Sequence, residues 1–285
     1  MREGDYSMPR LQRGRRMVTI IFLGSGGGRF ATVYQVRRTG GIYVKDGGNL
    51  HIDPGPGAVV AMREAHLDPA ATDAVLISHA HPDHYVDAEV LVEGMTRCSF
   101  SHRGLVAGAV SAIEGRGDFG PVLSAYHRRI AGEVRALSAG EEMVAGGLMI
   151  RATPTKHSDP DGIGFRISTS SGVISYASDS ELDGDVVSAH QGARVLIMCV
   201  TRPLGSRVKY HLATEDAAEF AERVRPEVAV LTHFGSKLVH EGVEKQRRFV
   251  EESSGVRTVA AEDFMRLTVG SGIRVNCPRK DPGRI

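Results

Sequence analysis

The chain has 285 residues, of which 41% are hydrophobic and 24% charged, a globular composition that excludes wholesale disorder, collagen and coiled coil. Its 35 Lys and Arg and 34 Asp and Glu leave a formal net charge of +1, which excludes binding of a polyanion by a global positive field. Three scattered cysteines without a CxxC pair argue against a disulfide framework and a thiolate zinc site, and they favour a cytoplasmic location: Cys98, Cys199 and Cys277.

The ends of the chain and its apolar runs give the domain organisation. The first sixteen residues are basic and no long apolar segment follows them. We therefore expect 1–16 to be a flexible N-terminal tail and 17–285 to be a single domain, with Met17 as an alternative start. The longest apolar runs, such as 195–200, are much shorter than the roughly 20 residues of a membrane helix, so no membrane span is predicted.

The N-terminal third has the pattern of short strands separated by turns. A strand is predicted at 18–23, and the glycine run 24–28 follows it. For this run a tight turn is favoured over a phosphate-binding loop, because no Walker-type lysine and no helix are expected after it. Further strands are predicted at 32–36, 41–44 and 50–52, and a helix at 58–66 after the Asp53-Pro54-Gly55 turn.

The rest of the chain alternates buried strands with helices. A strand at 74–77 leads into a histidine-rich segment, and a helix is predicted at 85–95. The stretch 98–139 has no clear pattern; it is a candidate for substrate contacts or for a dimer interface. Strands return after residue 148, with a helix at 215–224 before the last of them, which suggests an α/β fold, a four-layer αββα sandwich of two similar halves.

The segment His79-Ala80-His81-Pro82-Asp83-His84 is the strongest chemical signal in the chain. Two imidazoles two residues apart on an extended loop project to the same side and can bind one metal ion. Asp83 and His84 are then available to a neighbouring ion. The alternative is a surface turn that happens to be rich in histidine.

This HxHxDH segment resembles the signature of the metallo-β-lactamase superfamily, and the resemblance extends over nearly the whole chain. The superfamily has a further histidine, an aspartate and a final histidine after three later strands. His157, Asp179 and His233 follow in that order, each at the end of a predicted strand.

The resemblance implies a dinuclear metal centre. One ion would be held by His79, His81 and His157, the other by Asp83, His84 and His233, and Asp179 would bridge both. Zinc is the default occupant of both positions, and manganese and iron are alternatives, because imidazole and carboxylate ligands suit all three. Asp53 resembles the aspartate that orients a ligand histidine from behind, although it could equally cap the turn that follows it.

At several positions this sequence differs from the pattern of a particular branch of the superfamily, and each difference disfavours that branch. His81 disfavours the oxygen-reducing diiron members, and Asp179 disfavours true β-lactamases, many of which have cysteine there. The 54 positions from Asp179 to His233 are too few for the domain that β-CASP nucleases insert. The remaining enzymes include phosphodiesterases, thioesterases and lactonases.

The C-terminal part resembles the tRNA 3′-end endonuclease, RNase Z, and related phosphodiesterases. The matching segments are the YHLAT that contains His211 and the later LTHFG that contains His233. In that group the extra histidine, here His211, protonates the leaving oxygen, while Asp83 orients the nucleophile or accepts its proton. The 22 positions from His157 to Asp179 leave no room for the long tRNA-binding arm of RNase Z, and Tyr176 replaces the acidic residue expected to orient His211.

The resemblance therefore favours a dinuclear phosphodiesterase or nuclease that acts on RNA or a small phosphodiester, as a monomer or a homodimer. A thioester or lactone hydrolase on the same metals is the alternative from another substrate class. A metal-holding scaffold without activity is a third reading, and it predicts bound metal and no hydrolysis. The architecture alone does not choose among them, because it hosts many chemistries.

Overall fold

The computed structural model describes residues 17–278, so the predicted N-terminal tail at 1–16 lies outside the described residues. Sixteen strands are found in this part of the chain: β1 (Val18–Gly24), β2 (Thr39–Lys45), β3 (Asn49–Ile52), β4 (Ala74–Ile77), β5 (Leu105–Ala109), β6 (Glu133–Leu137), β7 (Glu142–Ala145), β8 (Leu148–Pro154), β9 (Ile163–Thr169), β10 (Gly172–Ala177), β11 (Val195–Arg202), β12 (Leu212–Ala213), β13 (Val228–Thr232), β14 (Thr258–Ala260), β15 (Arg266–Val269) and β16 (Ile273–Asn276).

Ten α-helices connect these strands within 17–278: α1 (Arg29–Val33), α2 (Ala58–Glu64), α3 (Pro82–Tyr85), α4 (Ala88–Met95), α5 (Val110–Ile113), α6 (Ala125–Ile130), α7 (Gly184–Ala189), α8 (Thr214–Val224), α9 (Ser236–Glu241) and α10 (Val243–Ser254). The longest, α10, has 12 residues. No helix among the described residues has the length and apolarity needed to cross a membrane.

The strands form two sheets built on the same plan. The first sheet has the order β16-β15-β1-β2-β3-β4-β5-β6, and the second has β14-β13-β11-β10-β9-β8-β7, with β12 beside β11. In each sheet an antiparallel part, β1 to β3 or β8 to β10, continues into a parallel part. The carboxyl ends of parallel strands meet at one edge of a sheet, which is where an open sheet presents a site.

The sheets pack face to face between two layers of helices. The larger core lies between the sheets and beneath α2 and α4, and it includes Ile20, Leu76 and Phe165. A second core joins the outer face of the second sheet to α7, α8 and α10. Strand β11 contributes alternate residues to the two cores, which explains why its sequence is apolar without a polar face. The predicted four-layer αββα sandwich is confirmed.

Two predictions of local structure after β1 were wrong, and a third, the helix at 85–95, was right only in part. Residues 32–36, expected as a strand, belong to the end of α1 and a following turn, so the helix judged absent after the glycine run is present. The reason is topological: β1 already pairs with β2 on one side and β15 on the other, which leaves no edge for another strand. The helix expected at 85–95 is divided into α3 and α4 at Asp87, whose carboxylate accepts the backbone N–H of Val59.

The stretch 98–139 contains regular elements that the sequence did not reveal. Strands β5 and β6 extend the first sheet by two parallel strands, with α5 and α6 between them. One side chain from its loops, Phe119, lies with its ring centroid 5.7 Å from that of His81. The segment therefore completes the sheet and also touches the candidate site.

Candidate metal centre

The structure brings the seven predicted ligand residues together at the carboxyl ends of strands from both sheets. His79, His81, Asp83 and His84 lie on the loop after β4 and in α3, where Pro82 is the first helical residue. The other three follow β8, β10 and β13, in the order His157, Asp179 and His233. The shared position explains the convergence, because each of these strands ends at the same edge of the sandwich.

Two groups of side chains have the spacing of metal ligands. In the first, His81 Nδ1 lies 3.0 Å from His79 Nε2 and 3.1 Å from His157 Nε2. In the second, His233 Nε2 lies 3.0 Å from His84 Nε2 and 3.2 Å from Asp83 Oδ2. The ligand atoms within each group all lie within 4.8 Å of one another.

Asp179 stands between the two groups. Its carboxylate lies within 4.8 Å of ligand atoms of His79 and His84, and it belongs to a further set with His157 and His211. Burial by itself would raise the pKa of Asp179, but the surrounding imidazoles, above all His233, hold it well below its usual range. A buried carboxylate that stays ionised is suited to bridge two cations.

The protonation of the first group favours metal binding. Burial is the largest cause that lowers the pKa of His79 well below its usual value, and the neighbouring imidazoles add to it. Burial likewise lowers the pKa of His81, and that of His157 to about 4. The rings are therefore neutral at pH 7, and their lone pairs are available as ligands.

The second group attracts positive charge instead. Burial lowers the pKa of His84, but the carboxylates of Asp53 and Asp83 outweigh it and raise that pKa well above its usual value. A site whose carboxylates stabilise a cation on an imidazole offers the same stabilisation to a metal ion.

The donor set fits divalent metal ions. Asp179 Oδ1 is buried and has no hydrogen-bond partner among the described residues, although such atoms are normally satisfied. Neutral imidazole nitrogens converge on one another at about hydrogen-bond distance without the protons to bond all of them. An imidazole and carboxylate set of this kind accommodates zinc, and also manganese or iron.

Asp53 lies behind the second group and holds His84. One of its oxygens accepts His84 Nδ1–H at 2.8 Å, the Ser78 hydroxyl at 2.7 Å and the Tyr176 hydroxyl at 2.7 Å, while the other accepts the Ser78 amide at 2.7 Å. The residue adopts a φ of +52°, a costly conformation outside glycine. The site geometry agrees with the expectation that Asp53 orients a ligand histidine.

Tyr176 and Ser78 were missed as part of this network. The sequence placed Tyr176 where an acidic residue would orient His211, but its hydroxyl instead donates to Asp53 and lies 3.3 Å from Cys199 Sγ. Its fully buried phenol has a pKa raised well above the usual value, chiefly by burial. The signal available in the sequence was a tyrosine in a strand that is apolar apart from Ser175.

His211 lies at the edge of the metal centre, immediately before β12. Its Nδ1 donates to the backbone carbonyl of Lys209 at 3.2 Å, and its Nε2 lies 3.5 Å from Asp179 Oδ2. A backbone carbonyl thus takes the orienting role expected of an acidic side chain. Burial is the largest single influence on the pKa of His211 and lowers it, but Asp179, the Lys209 carbonyl and Asp83 together raise it, and the net shift is upward.

The glycine run after β1 packs directly against the centre. A Cβ on Gly27 would lie 2.0 Å from a ring carbon of His233, so no other residue fits there. The amide of Gly28, which has a φ of +75°, donates to Asp83 Oδ2 at 2.7 Å. The tight turn predicted from this run is present, but it also positions two of the candidate ligands.

A second aspartate that the sequence analysis missed supports the first group. One oxygen of buried Asp159 accepts the Ala80 amide at 2.9 Å and the Ser111 hydroxyl at 2.6 Å. Ala80 lies between His79 and His81, so this bond fixes the backbone that carries both imidazoles. The position of Asp159, two residues after His157, was the signal available in the sequence.

A cleft of about 780 Å³ opens above the centre. Its floor includes His81, Asp83, Asp179 and His211. Its walls include three segments: the glycine run with α1, the end of β11, and the start of α9. The volume lies within the range of small-molecule sites.

Comparison with known proteins gives the relatives of this chain. Residues 48–234 match the family model described as the beta-lactamase superfamily domain. The uncharacterized protein MJ1374 of Methanocaldococcus jannaschii is 38% identical over 258 residues, which cover 90% of this chain and 96% of the relative. A ribonuclease Z of Mycobacterium sp. is 26% identical over 246 residues, 76% of this chain and 84% of that enzyme.

A solved structure shares the fold. The metallo-beta-lactamase fold protein YhfI from Bacillus subtilis has a TM-score of 0.72 and 19% identity to this chain, and the match covers 89% of this chain and 99% of YhfI.

Proposed function

The chain belongs to the β-lactamase superfamily, a superfamily of metal-dependent hydrolases, and on that premise we propose that it hydrolyses phosphodiesters at a dinuclear metal centre. The observation that carries the proposal is the position of His211. Its Nε2 lies 3.5 Å from Asp179 Oδ2, and its ring lines the cleft. A proton donor in this position would lie beside the proposed metal ligands, where a leaving group departs.

The proposed ligands follow the two groups described above. His79, His81 and His157 would hold one ion, and Asp83, His84 and His233 the other, with Asp179 between them. Divalent metal ions bound in this way lower the pKa of water and neutralise developing charge on phosphoryl oxygens. Zinc is the proposed occupant of both positions, with manganese or iron as alternatives.

The chain's own residues then orient the reactants and move the proton. Asp83 lines the cleft, and the Gly28 amide fixes one of its oxygens, so it orients the attacking water. The Lys209 carbonyl fixes His211 Nδ1 and leaves Nε2 directed at the centre. From Nε2 the imidazole donates a proton to the departing alkoxide as a general acid.

The likeness to ribonuclease Z supports phosphodiesters as the substrate class. General acid assistance supports it as well, because an alkoxide is a poor leaving group and requires a proton. A thiolate leaves without one, so hydrolysis of a thioester would have little use for His211. RNA and small diesters both remain within the proposed class, and the protein is proposed to act in the cytoplasm.

A leaving-group comparison tests the proposal. One substrate is a diester with an alkoxide leaving group, such as a dinucleotide. We expect His211→Ala to lower its turnover by about 10²- to 10⁴-fold. The loss should be much smaller for bis(p-nitrophenyl) phosphate, because p-nitrophenolate departs without protonation. Metal content, measured by mass spectrometry on the same samples, should not change.

His240→Ala is the matched control, since His240 is an exposed histidine of α9 that does not line the cleft. It should leave both rates unchanged. Equal losses on both substrates in His211→Ala would remove His211 from proton donation. Turnover of thioesters but not of either diester by the metal-loaded protein would overturn the proposed function.

A further inference from the structure

Helix α1 presents an apolar surface to the cleft above the metal centre. Phe30 and Val33 line this cleft, and the two residues are 73% and 75% exposed. Large apolar side chains left open to water at this level, next to one another and beside a catalytic centre, indicate a surface that a ligand covers.

The position of α1 is fixed relative to the proposed ligands. The Gly28 amide donates to Asp83 Oδ2 at 2.7 Å, and the Thr32 hydroxyl donates to the Gly28 carbonyl at 2.8 Å. Gly26 forms a β-bridge with Phe234, which follows His233. The loop before α1 is therefore attached both to Asp83 and to the strand end that carries His233. A molecule bound at the proposed metal positions lies beside the apolar surface of α1.

Several other lining residues of the cleft are polar. Arg202 and Lys237 contribute positive charge near Ser206, which accepts from both of them. The hydroxyl of Ser236 is buried and has no hydrogen-bond partner among the described residues. A ligand that fills the cleft thus meets metal ligands on the floor, polar groups on one part of the wall and apolar groups on α1.

We propose that Phe30 and Val33 determine specificity by binding the nucleobase of a nucleotide phosphodiester, next to the phosphate held at the centre. This inference rests on the proposed function. The cleft of about 780 Å³ far exceeds the needs of a phosphate group alone. A nucleobase is flat and has an apolar face, so it stacks on the Phe30 ring and removes Val33 from water.

Stacking of this kind is tolerant of base identity, because every base offers a π face. The cleft walls on α1 supply apolar surface through Phe30, Ala31 and Val33. We therefore expect a preference for nucleotides over sugar phosphates, with similar affinity for purine and pyrimidine nucleotides.

The experiment is a titration calorimetry series on the full chain with measured metal content. Adenosine 5′-monophosphate, ribose 5-phosphate and inorganic phosphate are the probes. We expect the nucleotide to bind about 5- to 100-fold more tightly than ribose 5-phosphate. Phe30→Ala should weaken binding of the nucleotide and leave binding of ribose 5-phosphate unchanged, so that the ratio of the two affinities falls close to one. Phe30→Tyr should keep the ratio of the parent protein.

Phe100→Ala is the control, because Phe100 is 92% exposed and does not line the cleft. It should leave the ratio as in the parent protein. Equal affinity of the parent protein for adenosine 5′-monophosphate and ribose 5-phosphate would overturn the inference. A ratio of these affinities that persists in Phe30→Ala would overturn it too. A third contrary outcome combines an unchanged affinity ratio in Phe30→Ala with a change of its molecular mass in sedimentation. That result would assign α1 to a contact between copies of the chain.

The proposed function fails separately from this inference. Turnover of bis(p-nitrophenyl) phosphate, measured on the same protein samples, reports on phosphodiester chemistry without requiring a nucleobase. Diester turnover without nucleotide preference contradicts only the role of α1. Nucleotide preference without any diester turnover contradicts only the proposed reaction.

Discussion

Asp53 accepts four hydrogen bonds at one buried carboxylate, and the donors belong to three residues. The donors are the imidazole of His84, the hydroxyl and amide of Ser78, and the hydroxyl of Tyr176. Together they fix the orientation of the carboxylate, and the carboxylate fixes the ring of a proposed metal ligand. The side chain that closes this network, Tyr176, comes from the second sheet.

Removing the Tyr176 hydroxyl should therefore weaken metal binding. We expect Tyr176→Phe to lower zinc affinity by about tenfold, because Asp53 loses a donor and His84 loses orientation. Competition with a chelator of known affinity measures the change independently of activity.

Tyr43→Phe is the matched control for this prediction. Tyr43 is also buried, and its hydroxyl lies 3.3 Å from Thr72 Oγ1, outside the network of Asp53. That variant should lower only the free energy of unfolding, by about 1 kcal/mol. Equal zinc affinity in the two variants would contradict the positioning role of Tyr176.

At the scale of elements, the loop between β1 and α1 has two tasks. It lets the chain turn at the end of the first sheet, and it brings Gly27 and Gly28 against His233 and Asp83. The close approach is possible only because Gly27 has no Cβ.

Gly27→Ala should accordingly damage the metal centre. The new methyl group would lie 2.0 Å from a His233 ring carbon, so either the imidazole or the loop must move. We expect a loss of about 1–3 kcal/mol in the free energy of unfolding, together with loss of stoichiometric zinc. Denaturant unfolding and metal analysis measure the two effects.

Gly184→Ala serves as the comparison, because no heavy atom lies within 4 Å of its added Cβ. It should bind zinc like the parent protein and change the free energy of unfolding by less than about 1 kcal/mol. Full zinc content in Gly27→Ala would show that the loop does not constrain His233.

At the scale of the whole molecule, one buried histidine far from the proposed ligands links stability to pH. His190 follows α7, its Nδ1 lies 2.6 Å from the Ser175 hydroxyl of β10, and its ring packs against Phe220 of α8. Burial, assisted by Arg166, lowers the pKa of His190 to about 3.

The direction of the pH effect follows from this shift. Between pH 6.5 and about 3 the unfolded chain binds a proton at His190 and the folded chain does not, so stability falls as the pH falls. Relative to His190→Asn, the parent protein should lose about 2 kcal/mol of unfolding free energy from pH 7.5 to pH 5. Urea unfolding at each pH measures both proteins, and the histidines of the metal centre cancel in the difference.

A difference between the two proteins that stays constant from pH 7.5 to pH 5 would contradict the neutral, buried state of His190. Asparagine is the suitable replacement, because its side-chain oxygen can take the place of Nδ1 beside Ser175.

Local patterns in the sequence were sufficient for the layers, and the family resemblance supplied the proposed ligand set, whose side chains the structure brings together. Strands such as β4 and β11 are continuous apolar runs, and a run of this length with buried neighbours on both faces predicts a central strand. His157, Asp179 and His233 each come after a predicted strand, and the one before His233 is such a run. Their convergence follows from the topology, since the ends of these strands share one edge.

The sequence did not predict α1, β5 or β6, because short elements are decided by their neighbours. Helix α1 has five residues and exposes most of its apolar side chains, so it has no amphipathic pattern. In 98–139 the strands are separated by loops and by one- to two-turn helices, which leave too few periods for recognition.

What the sequence by itself determined was the superfamily, the sandwich and the order of the proposed ligands, because these depend on motifs and periodicities carried by neighbouring residues. Only the tertiary structure decided which groups hold the ligands and which surface faces the cleft. Tyr176 and Asp53 are 123 positions apart, and Asp83 and Gly28 are 55 apart. Bonds over such separations leave no local pattern: the Asp83–Gly28 bond forms only when β1 and β4 join one sheet, and the Tyr176–Asp53 bond only when the two sheets pack.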